Sequence, residues 1–286
     1  MNLLHNVRAD VQRALEEDVG AGDVSASLVP GNRSVTASII CRERAVVCGS
    51  PWVDEVLHQV APSAYARWHL EDGHICEPGQ TVVEISGSAR ELLTAERTCL
   101  NFLQTLSAVA TKTEMYVRAI AGTKSIVLDT RKTIPGLRVA QKYAVRCGGG
   151  SNHRMGLYDA VLIKENHISA CGGLTAAFRA AQRTAEKVSF IQVEVETLSQ
   201  LSEAIDAGVK MVLLDNMNLD QVREAVALAA GRCSLEVSGG VSLETIREFA
   251  DAGADRISVG ALIKDVKAID FSMRFSPTPV ESTVAG

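Results

Sequence analysis

The sequence predicts an α/β protein whose C-terminal half forms an incomplete α/β barrel. From about residue 124 onward, strand-like and helix-like segments alternate, and six βα units can be distinguished. The strand-like segments are nearly continuous runs of Val, Ile and Leu, which is typical of parallel strands covered on both faces. Glycines follow the helical segments where a helix C-cap is expected. These units are fewer than a complete barrel needs, and a doubly wound open sheet is the alternative.

The N-terminal half has a different texture. An amphipathic helix is predicted within the first 20 residues, and short β-like runs such as "SVTASIIC" and "TVVEISG" follow between residues 25 and 90. Turn signals such as "EDGHICEPGQ" separate these runs. A long helix is then predicted from Ala89 to about Ala121, because Leu and Cys recur along one side at helical spacing.

One face of this long helix is polar but almost uncharged, whereas a solvent-facing helix usually carries Lys and Glu. We expect this face to contact another part of the protein or a second subunit, with Arg97 reaching an anion. Pairing of Arg97 with a local acid, Glu91 or Glu96, is the alternative. The residues of this face are Thr94, Arg97, Asn101, Gln104 and Ala108.

Composition excludes several classes of protein. The chain has 286 residues, of which 47% are hydrophobic and 22% charged, as in ordinary globular proteins. No apolar run is long enough to span a membrane, and the N-terminus lacks the apolar core of a signal peptide, so we expect a cytoplasmic protein. The seven cysteines are scattered, with no C-x-x-C pair, which disfavours a disulfide framework or a zinc site. The net charge of −5 disfavours nonspecific nucleic-acid binding.

Polar residues or glycine follow each predicted strand of the C-terminal half. Ligands bind at the carboxyl ends of strands in parallel α/β folds, so these residues are expected to gather on one face. The segment "DTRKTIPGLRVAQKYAVRCGGGSNHR" is strongly cationic within an acidic chain, and its triple glycine is expected to turn the chain back toward this face. The candidate cations are Arg131, Lys132, His153, Arg154 and Lys164.

This cationic cluster predicts a small anionic ligand, because buried like charges are costly unless an anion compensates them. Arginine suits bidentate contacts with carboxylate or phosphate, and lysine acts as a point charge. A solvated basic face is the alternative for any single member. Arg138, Lys142 and Arg146 recur at i, i+4 spacing and are interpreted as helix surface or structural pairs.

Three carboxylates, Glu194, Glu196 and Asp215, lie at the ends of two successive predicted strands. Mg²⁺ binds through one or two carboxylates together with substrate phosphates, so a site with both cations and carboxylates favours a phosphorylated substrate and metal. A structural ion pair with the neighbouring cations is the alternative. Glu194 and Asp215 rank above Glu196.

The last two predicted strands end in glycine-rich segments that suit a phosphate group. "SGG" (Ser238, Gly239 and Gly240) ends one strand, and "SVGA", with Gly260, ends the next. Backbone N–H groups of such loops cradle phosphate where glycine allows close approach.

Taken together, these motifs resemble those of the quinolinate phosphoribosyltransferase family. The resemblance is strongest in "DTRKTIPGLRVAQKYAVRCGGGSNHRMGLYDAVLIKENH" and extends over nearly the whole chain through "EEDVGAGDVSASLVP", "ERTCLNFLQTLSAVAT", "LLDNM", "EVSGGVS" and "SVGALIKDVKAIDFSMRF". It implies an N-terminal α/β sandwich domain (1–115, joined by the C-terminal tail 267–286), an incomplete α/β barrel (116–266) and a homodimer.

The resemblance also implies a reaction. The ring nitrogen of quinolinate attacks the anomeric carbon of phosphoribosyl pyrophosphate, Mg-pyrophosphate leaves, and one ring carboxylate is lost as CO₂. Nicotinate mononucleotide for NAD synthesis is the product. A paralogous phosphoribosyltransferase, such as the relatives associated with molybdenum uptake, is one alternative, and a noncatalytic barrel that binds a phosphorylated ligand is another. A sensor would have no reason to keep Glu194 and Asp215 beside the cations.

Site residues follow from the resemblance position by position. The implied quinolinate ligands are Arg97 from the partner subunit and Arg131, Lys132, His153, Arg154 and Lys164 from one chain. The implied ligands of phosphoribosyl pyrophosphate are Glu194, Asp215, Ser238, Gly239, Gly240, Gly260 and Lys264. Lys132, Glu194 and Asp215 are the implied catalytic residues, and the last two hold Mg²⁺ directly or through water.

Overall fold

A computed structural model describes residues 3–184 and 188–276 of the chain. The chain divides into two compact units, the first formed by residues 1–111, 139–147 and 266–286 and the second by 112–138 and 148–265. The segment 139–147 therefore groups with the first unit, although it lies in sequence within the predicted barrel domain. The predicted tail beyond residue 276 lies outside the described residues.

The helices and strands alternate along most of the chain. The elements up to residue 147 are α1 (Leu3–Asp18), a 3₁₀ turn (Ala26–Leu28), β1 (Ser34–Cys41), β2 (Ala45–Val46), α2 (Ser50–Val60), β3 (Tyr65–Trp68), β4 (Ile75–Cys76), β5 (Thr81–Ser88), α3 (Ala89–Ala119), β6 (Ile126–Leu128) and α4 (Arg138–Cys147). The remaining elements are β7 (Val161–Ile163), α5 (Glu165–Cys171), α6 (Leu174–Thr184), β8 (Ile191–Val195), α7 (Leu198–Asp206), β9 (Met211–Asp215), α8 (Leu219–Ala229), β10 (Ser234–Ser238), α9 (Ile246–Asp251), β11 (Arg256–Ser258), α10 (Ala261–Lys264) and β12 (Phe271–Phe275).

The first unit is built on a four-stranded antiparallel sheet in the order β12-β1-β5-β3. Every second residue of β1 is buried, from Val35 to Cys41, so one face of the sheet packs on the core and the other is more accessible. The C-terminal strand β12 pairs with β1, with Met273 opposite Ile39. Residues far apart in sequence thus complete this sheet.

Helix α4 groups with the first unit because of its aromatic contacts. The ring of Tyr143 packs against Trp52 at a centroid distance of 5.4 Å, and Trp52 is fully buried. The Tyr143 hydroxyl donates to Asp72 Oδ2 at 2.9 Å. An aromatic pair of this kind stabilises beyond the area that it buries.

Helix α3 confirms the predicted long helix and has 31 residues. Part of its polar face contacts the same unit: Thr94 Oγ1 donates to Asp23 Oδ2 at 3.0 Å, and the Gln104 carbonyl accepts from Ile269 N at 3.2 Å. Arg97 is exposed and forms no ion pair within residues 3–184 and 188–276, so the alternative pairing with Glu91 or Glu96 is not found there. Of the helices in the described part of the chain, none combines the length and apolar character needed to cross a membrane.

The second unit is an incomplete α/β barrel, as predicted. Its six parallel strands lie in the order β6-β11-β10-β9-β8-β7. The first strand of the unit lies beside the last, which is the circular order of a barrel, and a bridge between Leu128 and Ser151 extends the sheet beyond β6. Strand β7 has one strand partner among the described residues, so the circle is open there. The order never reverses, and the doubly wound alternative is therefore wrong.

Candidate active site

The second unit contains a cavity of about 280 Å³ at the carboxyl ends of its strands. Strand alternation explains part of this lining, because Leu162 and Lys164, two residues apart at the end of β7, lie on the same side of the chain. The volume suits a small molecule. The lining residues are Asp129, Thr130, Arg131, Lys132, His153, Arg154, Leu162, Lys164, Leu213, Glu236 and Ser258.

All five predicted strand-end cations therefore lie around one cavity. Arg131, Lys132 and Lys164 follow the ends of β6 and β7, while His153 and Arg154 arrive from the segment after α4. Arg97 and Lys264 do not line it, and both are exposed. Glu196 lies past the end of β8, is exposed, and does not line the cavity either. Nor is the cavity lined by the predicted ligands of the second substrate at the neighbouring strand ends: Glu194, Asp215, Ser238, Gly239, Gly240 and Gly260.

Asp129 holds the segment that carries His153 and Arg154 at the end of β6. Its carboxylate is fully buried and accepts hydrogen bonds from His153 N at 2.9 Å and from Asn152 Nδ2 at 2.6 Å. Hydrogen bonds between Ser151 and both Val127 and Asp129 hold the same segment against the strand. The triple glycine thus precedes a chain return that places Arg154 beside Arg131, as expected.

His153 belongs to a buried chain of hydrogen bonds. Its Nδ1 accepts from Arg154 N at 2.8 Å, which places the ring proton on Nε2, and Nε2 lies 2.9 Å from Gln192 Oε1. Gln192 Nε2 in turn donates to Glu236 Oε2 at 3.0 Å. Both ring nitrogens therefore have protein partners, so this geometry suits positioning of Arg154, and the contact of His153 with a ligand carboxylate stays a prediction.

Glu236 is the end point of this chain of hydrogen bonds and is fully buried. It accepts from the Ser258 hydroxyl and from Arg256 Nε, the latter at 3.3 Å, and its Oε1 lies 3.5 Å from His153 Nε2. A buried carboxylate needs such partners to remain charged. This network joins β8, β10 and β11 below the cavity.

Arg131 and Arg154 are the two guanidinium groups of the cavity. Arg131 Nε is buried and has no hydrogen-bond partner within the described ranges. Burial lowers the pKa of Arg154, and repulsion from Arg131 lowers it further. An unsatisfied buried donor and a repulsive pair of like charges are both relieved when an anion binds.

Arg138 and Lys142 have structural roles. Arg138 donates to the carbonyl oxygens of Arg131 and Met155, at 3.4 and 3.1 Å, and so ties the two cationic loops together. Lys142 is buried, with 1% of its surface exposed, so the interpretation as helix surface is wrong for this residue. Arg146 lies over the ring of Tyr143 at 5.8 Å.

Lys164 and Glu194 form an ion pair at the edge of the cavity. Lys164 Nζ donates to both carboxylate oxygens, at 3.1 and 2.9 Å. Burial raises the pKa of Glu194, the bond from Lys164 opposes that change, and the neighbouring Asp215 carboxylate raises the pKa again. Glu194 therefore forms the ion pair with a neighbouring cation that was the alternative interpretation of this carboxylate. A bound anion would compete with Glu194 for Lys164.

Asp215 and the "SGG" turn lie side by side at the ends of β9 and β10, since Asp215 pairs with Ser238 in register. Asp215 accepts from Asn216 Nδ2 at 2.9 Å, and Asn216 N donates to the Ser238 carbonyl at 2.9 Å. Gly239 and Gly240 have φ angles of 98° and 62°, a region that glycine adopts readily. A Cβ at Gly239 would lie 2.1 Å from Asn216 Oδ1.

Gly260 allows a close approach between two other strand ends. A Cβ added there would meet Lys132 Cδ at 3.3 Å and Thr130 Oγ1 at 3.9 Å. The side chain of Lys132 therefore packs over the loop that follows β11. This contact joins the "DTRKT" loop to the "SVGA" segment.

Replacing Gly239 with Ala is expected to destabilise the protein by about 1–3 kcal/mol, because the new methyl group collides with Asn216 at a positive φ. Gly231→Ala is the matched control, since its φ is 76° but open space surrounds its Cβ position. Urea unfolding of both variants measures the difference. Equal losses for the two variants would show that the close approach to Asn216 has no energetic consequence.

Sequence reasoning missed the buried residues that support the cavity. The sequence motifs assign no role to Asp129, Gln192 or Glu236. Strand alternation was the available signal: Gln192 lies two residues before Glu194, and Glu236 two before Ser238, so each shares a face with a predicted site residue. Polar residues inside otherwise apolar strands therefore marked the floor of the site.

Two family models cover almost the whole chain: the N-terminal domain of quinolinate phosphoribosyl transferase matches residues 23–107, and the C-terminal domain matches residues 109–274. The open barrel with its cation-lined cavity is thus that of a phosphoribosyltransferase. A probable nicotinate-nucleotide pyrophosphorylase [carboxylating] of Bacillus subtilis is 40% identical over 257 residues, which are 90% of this chain and 89% of that protein. The chain belongs to the quinolinate phosphoribosyltransferase family.

Further similar proteins agree with this assignment. The nicotinate-nucleotide pyrophosphorylase [carboxylating] of Mycobacterium leprae is 41% identical over 273 residues, with 93% of this chain and 96% of that protein covered. The structure of the nicotinate-nucleotide pyrophosphorylase from Francisella tularensis superposes with a TM-score of 0.92 at 43% identity, covering 96% of this chain and 97% of that chain. The fold predicted from the sequence is therefore confirmed.

Proposed function

We propose that this enzyme transfers the phosphoribosyl group of phosphoribosyl pyrophosphate to quinolinate in NAD biosynthesis. One ring carboxylate is lost as CO₂, and the products are nicotinate mononucleotide and pyrophosphate. The observation that carries the proposal is the single cavity in which Arg131, Arg154 and Lys164 converge. Similar proteins are named nicotinate-nucleotide pyrophosphorylases [carboxylating], which are enzymes of this reaction.

Quinolinate is a small planar ring with two adjacent carboxylates, and the cavity supplies matching charges. Arg131, with its unsatisfied buried Nε, and Arg154 offer guanidinium groups for the carboxylates, and Lys164 adds a point charge. Lys132 lies at the mouth beside Gly260, between the quinolinate subsite and the phosphate loops. His153, the remaining predicted quinolinate residue, accepts a hydrogen bond from the backbone N–H of Arg154 and so helps to position it.

Phosphoribosyl pyrophosphate is proposed to bind along the neighbouring strand ends. The glycine-rich turns after β10 and β11 offer backbone N–H groups to the 5′-phosphate. Glu194 and Asp215 face the ribose and the pyrophosphate. The full set proposed for this substrate is Glu194, Asp215, Ser238, Gly239, Gly240, Gly260 and Lys264.

Catalysis is proposed to rest on positioning and charge stabilisation. The quinolinate ring nitrogen attacks the anomeric carbon as the bond from that carbon to the pyrophosphate oxygen breaks, so positive charge develops on the sugar. The Glu194 and Asp215 carboxylates stabilise that charge, while Lys132 stabilises the negative charge of the departing pyrophosphate. No covalent intermediate is required, because the two reactants are proposed to bind side by side at the carboxyl ends of the strands.

Glu194 and Asp215 would also hold Mg²⁺, directly or through water. The donor set fits this ion, which commonly takes one or two protein carboxylates and completes its shell with water and substrate phosphates. When bound, Mg²⁺ neutralises charge on the pyrophosphate.

We further propose a homodimer in which Arg97 reaches the neighbouring subunit's site. The exposure of Arg97 and its lack of an ion pair within residues 3–184 and 188–276 support this arrangement. A cytoplasmic location is proposed as well, and the seven free cysteines support it, because thiols persist in reducing compartments.

The decisive assay mixes the enzyme with quinolinate, phosphoribosyl pyrophosphate and Mg²⁺ and follows nicotinate mononucleotide by chromatography. Product is expected with quinolinate, and little with nicotinate, which lacks the second carboxylate and leaves one guanidinium group uncompensated. Omission of Mg²⁺ with a chelator present is expected to abolish turnover. Equal rates with nicotinate would refute the substrate assignment, and ligand binding without any product would indicate a noncatalytic barrel.

Mixed dimers test the role of Arg97. Arg97→Ala and Arg131→Ala are each expected to be inactive, but random reassociation of the two should restore about a quarter of the wild-type sites if the site is shared between subunits. A mixture of Arg131→Ala with Lys164→Ala is the matched control, because both residues belong to the same chain's cavity and no intact site can form. Failure of the first mixture to regain activity would count against a site that is shared between subunits.

A further inference from the structure

Cys48 and Cys147 lie close together in the first unit, far from each other in sequence. Cys48 precedes α2 and Cys147 is the last residue of α4. Their sulfur atoms and a carboxylate oxygen of Asp72 all lie within 4.8 Å of one another. Gly73, next to Asp72, lies beside this end of α4, since a Cβ added there would be 3.4 Å from the Cys147 carbonyl oxygen, an ordinary contact distance.

The two thiols differ in accessibility and in acidity. Cys48 is completely buried, and burial raises its pKa. Cys147 is partly accessible, and interaction with the neighbouring Cys48 thiol lowers the pKa of Cys147, while burial and the Asp72 charge oppose that change. Oxidants react with the thiolate form of an accessible cysteine, and a neighbouring thiol can then attack the oxidised sulfur to form a disulfide. Cys147 is placed for the first role and Cys48 for the second.

We infer that Cys48 and Cys147 are a redox-active pair that closes to a reversible disulfide when a peroxide oxidises Cys147. The Cys147 thiolate attacks one peroxide oxygen, the O–O bond breaks, and a proton from solvent completes the departing water, which leaves a sulfenic acid. The Cys48 sulfur then attacks the Cys147 sulfur and gives up its proton, and the sulfenic oxygen leaves as a second water. The peroxide gains the two electrons that the two thiols lose.

The backbone beside both cysteines favours closure. A disulfide needs the two sulfur atoms to approach to about 2.05 Å, so one or both side chains must rotate and the backbone must yield slightly. Cys48 is followed directly by Gly49, with φ 126°, and Cys147 by a triple glycine that includes Gly149, with φ 83°. Glycine at these positions allows such adjustment at little cost.

A metal ion is the competing occupant of this cluster, but the bonding of Asp72 disfavours it. Its two carboxylate oxygens already accept hydrogen bonds from Gly49 N at 3.0 Å, Ser50 N at 3.1 Å and the Tyr143 hydroxyl at 2.9 Å. These bonds stabilise the beginning of α2 and anchor α4, so Asp72 has a structural role that metal ligation would disturb. The thiol pair alone is too few ligands for a closed structural metal site.

A second close pair of thiols provides an internal control. Cys41 and Cys76 interact through their side chains, but both are completely buried, and burial raises the pKa of each, that of Cys76 to about 12. In both pairs the two thiols interact. Of these four cysteines, only Cys147 is partly accessible and has a lowered pKa. Cys171 is exposed and serves as the control for accessibility without a partner.

Peptide mapping distinguishes these pairs. The reduced full-length protein is treated with a small excess of hydrogen peroxide, alkylated with iodoacetamide and digested with trypsin without reductant. Cys48 and Cys147 fall in separate tryptic peptides, 45–67 and 147–154, and Cys41 and Cys76 in 34–42 and 68–90. When denaturant is present during alkylation, so that buried thiols also react, we expect the 45–67/147–154 cross-link to form and to disappear with dithiothreitol. The 34–42 and 68–90 peptides are expected to be alkylated separately.

Three variants sharpen the test. Cys147→Ser is expected to abolish the cross-link, Cys48→Ala to leave Cys147 oxidised to sulfinic acid because no resolving thiol remains, and Cys171→Ser to leave the cross-link unchanged. Separate alkylation of Cys48 and Cys147 after peroxide treatment would overturn the inference. So would equal cross-linking of Cys41 with Cys76, or one equivalent of zinc that protects the pair until a chelator removes it.

Discussion

Replacement of Arg131 by Ala is expected to lower kcat/KM for quinolinate by about 100-fold or more, which corresponds to about 2.7 kcal/mol of transition-state stabilisation. The guanidinium group lines the cavity, and its Nε is buried without a hydrogen-bond partner in residues 3–184 and 188–276. Its donors are thus available to a carboxylate, and a charge-assisted bidentate contact is worth more than a neutral hydrogen bond. Steady-state assays over a range of quinolinate concentrations give the value.

Two further variants isolate the cause of the Arg131 effect. Arg131→Lys keeps the charge but loses the planar fork, so an intermediate loss is expected. Arg223→Ala is the matched surface control, because that side chain is exposed on α8 and pairs with Asp220 on the same helix, at 3.0 Å. Near-normal kcat/KM for Arg131→Ala would remove this residue from the quinolinate subsite.

Replacement of Glu236 by Ala is expected to lower the free energy of unfolding by about 3–5 kcal/mol. The carboxylate is fully buried and accepts from Gln192, Arg256 and Ser258. Its removal leaves the Arg256 charge without its anion and breaks the hydrogen-bond chain that reaches His153. Urea unfolding monitored by circular dichroism measures the loss.

The Glu236 prediction has two controls. Glu236→Gln keeps the shape and can still accept hydrogen bonds, but it lacks the charge opposite Arg256, so a smaller loss is expected. Glu224→Ala removes an exposed carboxylate from α8 and should change stability by less than about 0.5 kcal/mol. A Glu236→Ala protein within 1 kcal/mol of wild type would mean that the buried network does not hold the floor of the cavity together.

The charged groups of the cavity fall into two sets, acids that are hydrogen-bonded within the protein and arginines that lie close to each other. Asp129 and Glu236, the buried acids of the cavity, are hydrogen-bonded within the protein. Arg131 and Arg154 instead repel each other, and burial disfavours the charged form of Arg154. The carboxylates of Asp159 and Glu194 offset part of this cost for Arg154. We expect a bound anionic substrate to compensate the rest, which favours a binding site over a purely structural ion-pair network.

The order of strands and helices could be predicted because their signals are local. Continuous Val, Ile and Leu runs predicted the parallel strands of the second unit, and the apolar side of α3 predicted a helix that ends at Ala119 in the structure. The location of the polar residues that follow the strands could also be predicted. A polar residue directly after a buried parallel strand lies at the carboxyl edge of the sheet, whatever the position of that strand in the sheet. The convergence of Arg131, Lys132 and Lys164 was predictable on this ground.

Other features depend on partners that the sequence does not reveal. The position of β6 beside β11, which distinguishes a barrel from a doubly wound sheet, depends on pairing between segments about 130 residues apart. The grouping of α4 with the first unit depends on Tyr143 meeting Trp52 and Asp72, and the proximity of Cys48 to Cys147 depends on the same packing.

The sequence by itself determined the family, the alternation of strands and helices, and the residues that gather at the carboxyl edge of the barrel. Only the tertiary structure decided which buried groups support them: Asp129 beneath His153, and Glu236 beneath Gln192 and Ser258. The physical reason is that periodicity and composition are properties of neighbouring residues, whereas the partner of a buried polar group is chosen by the packing of the whole unit.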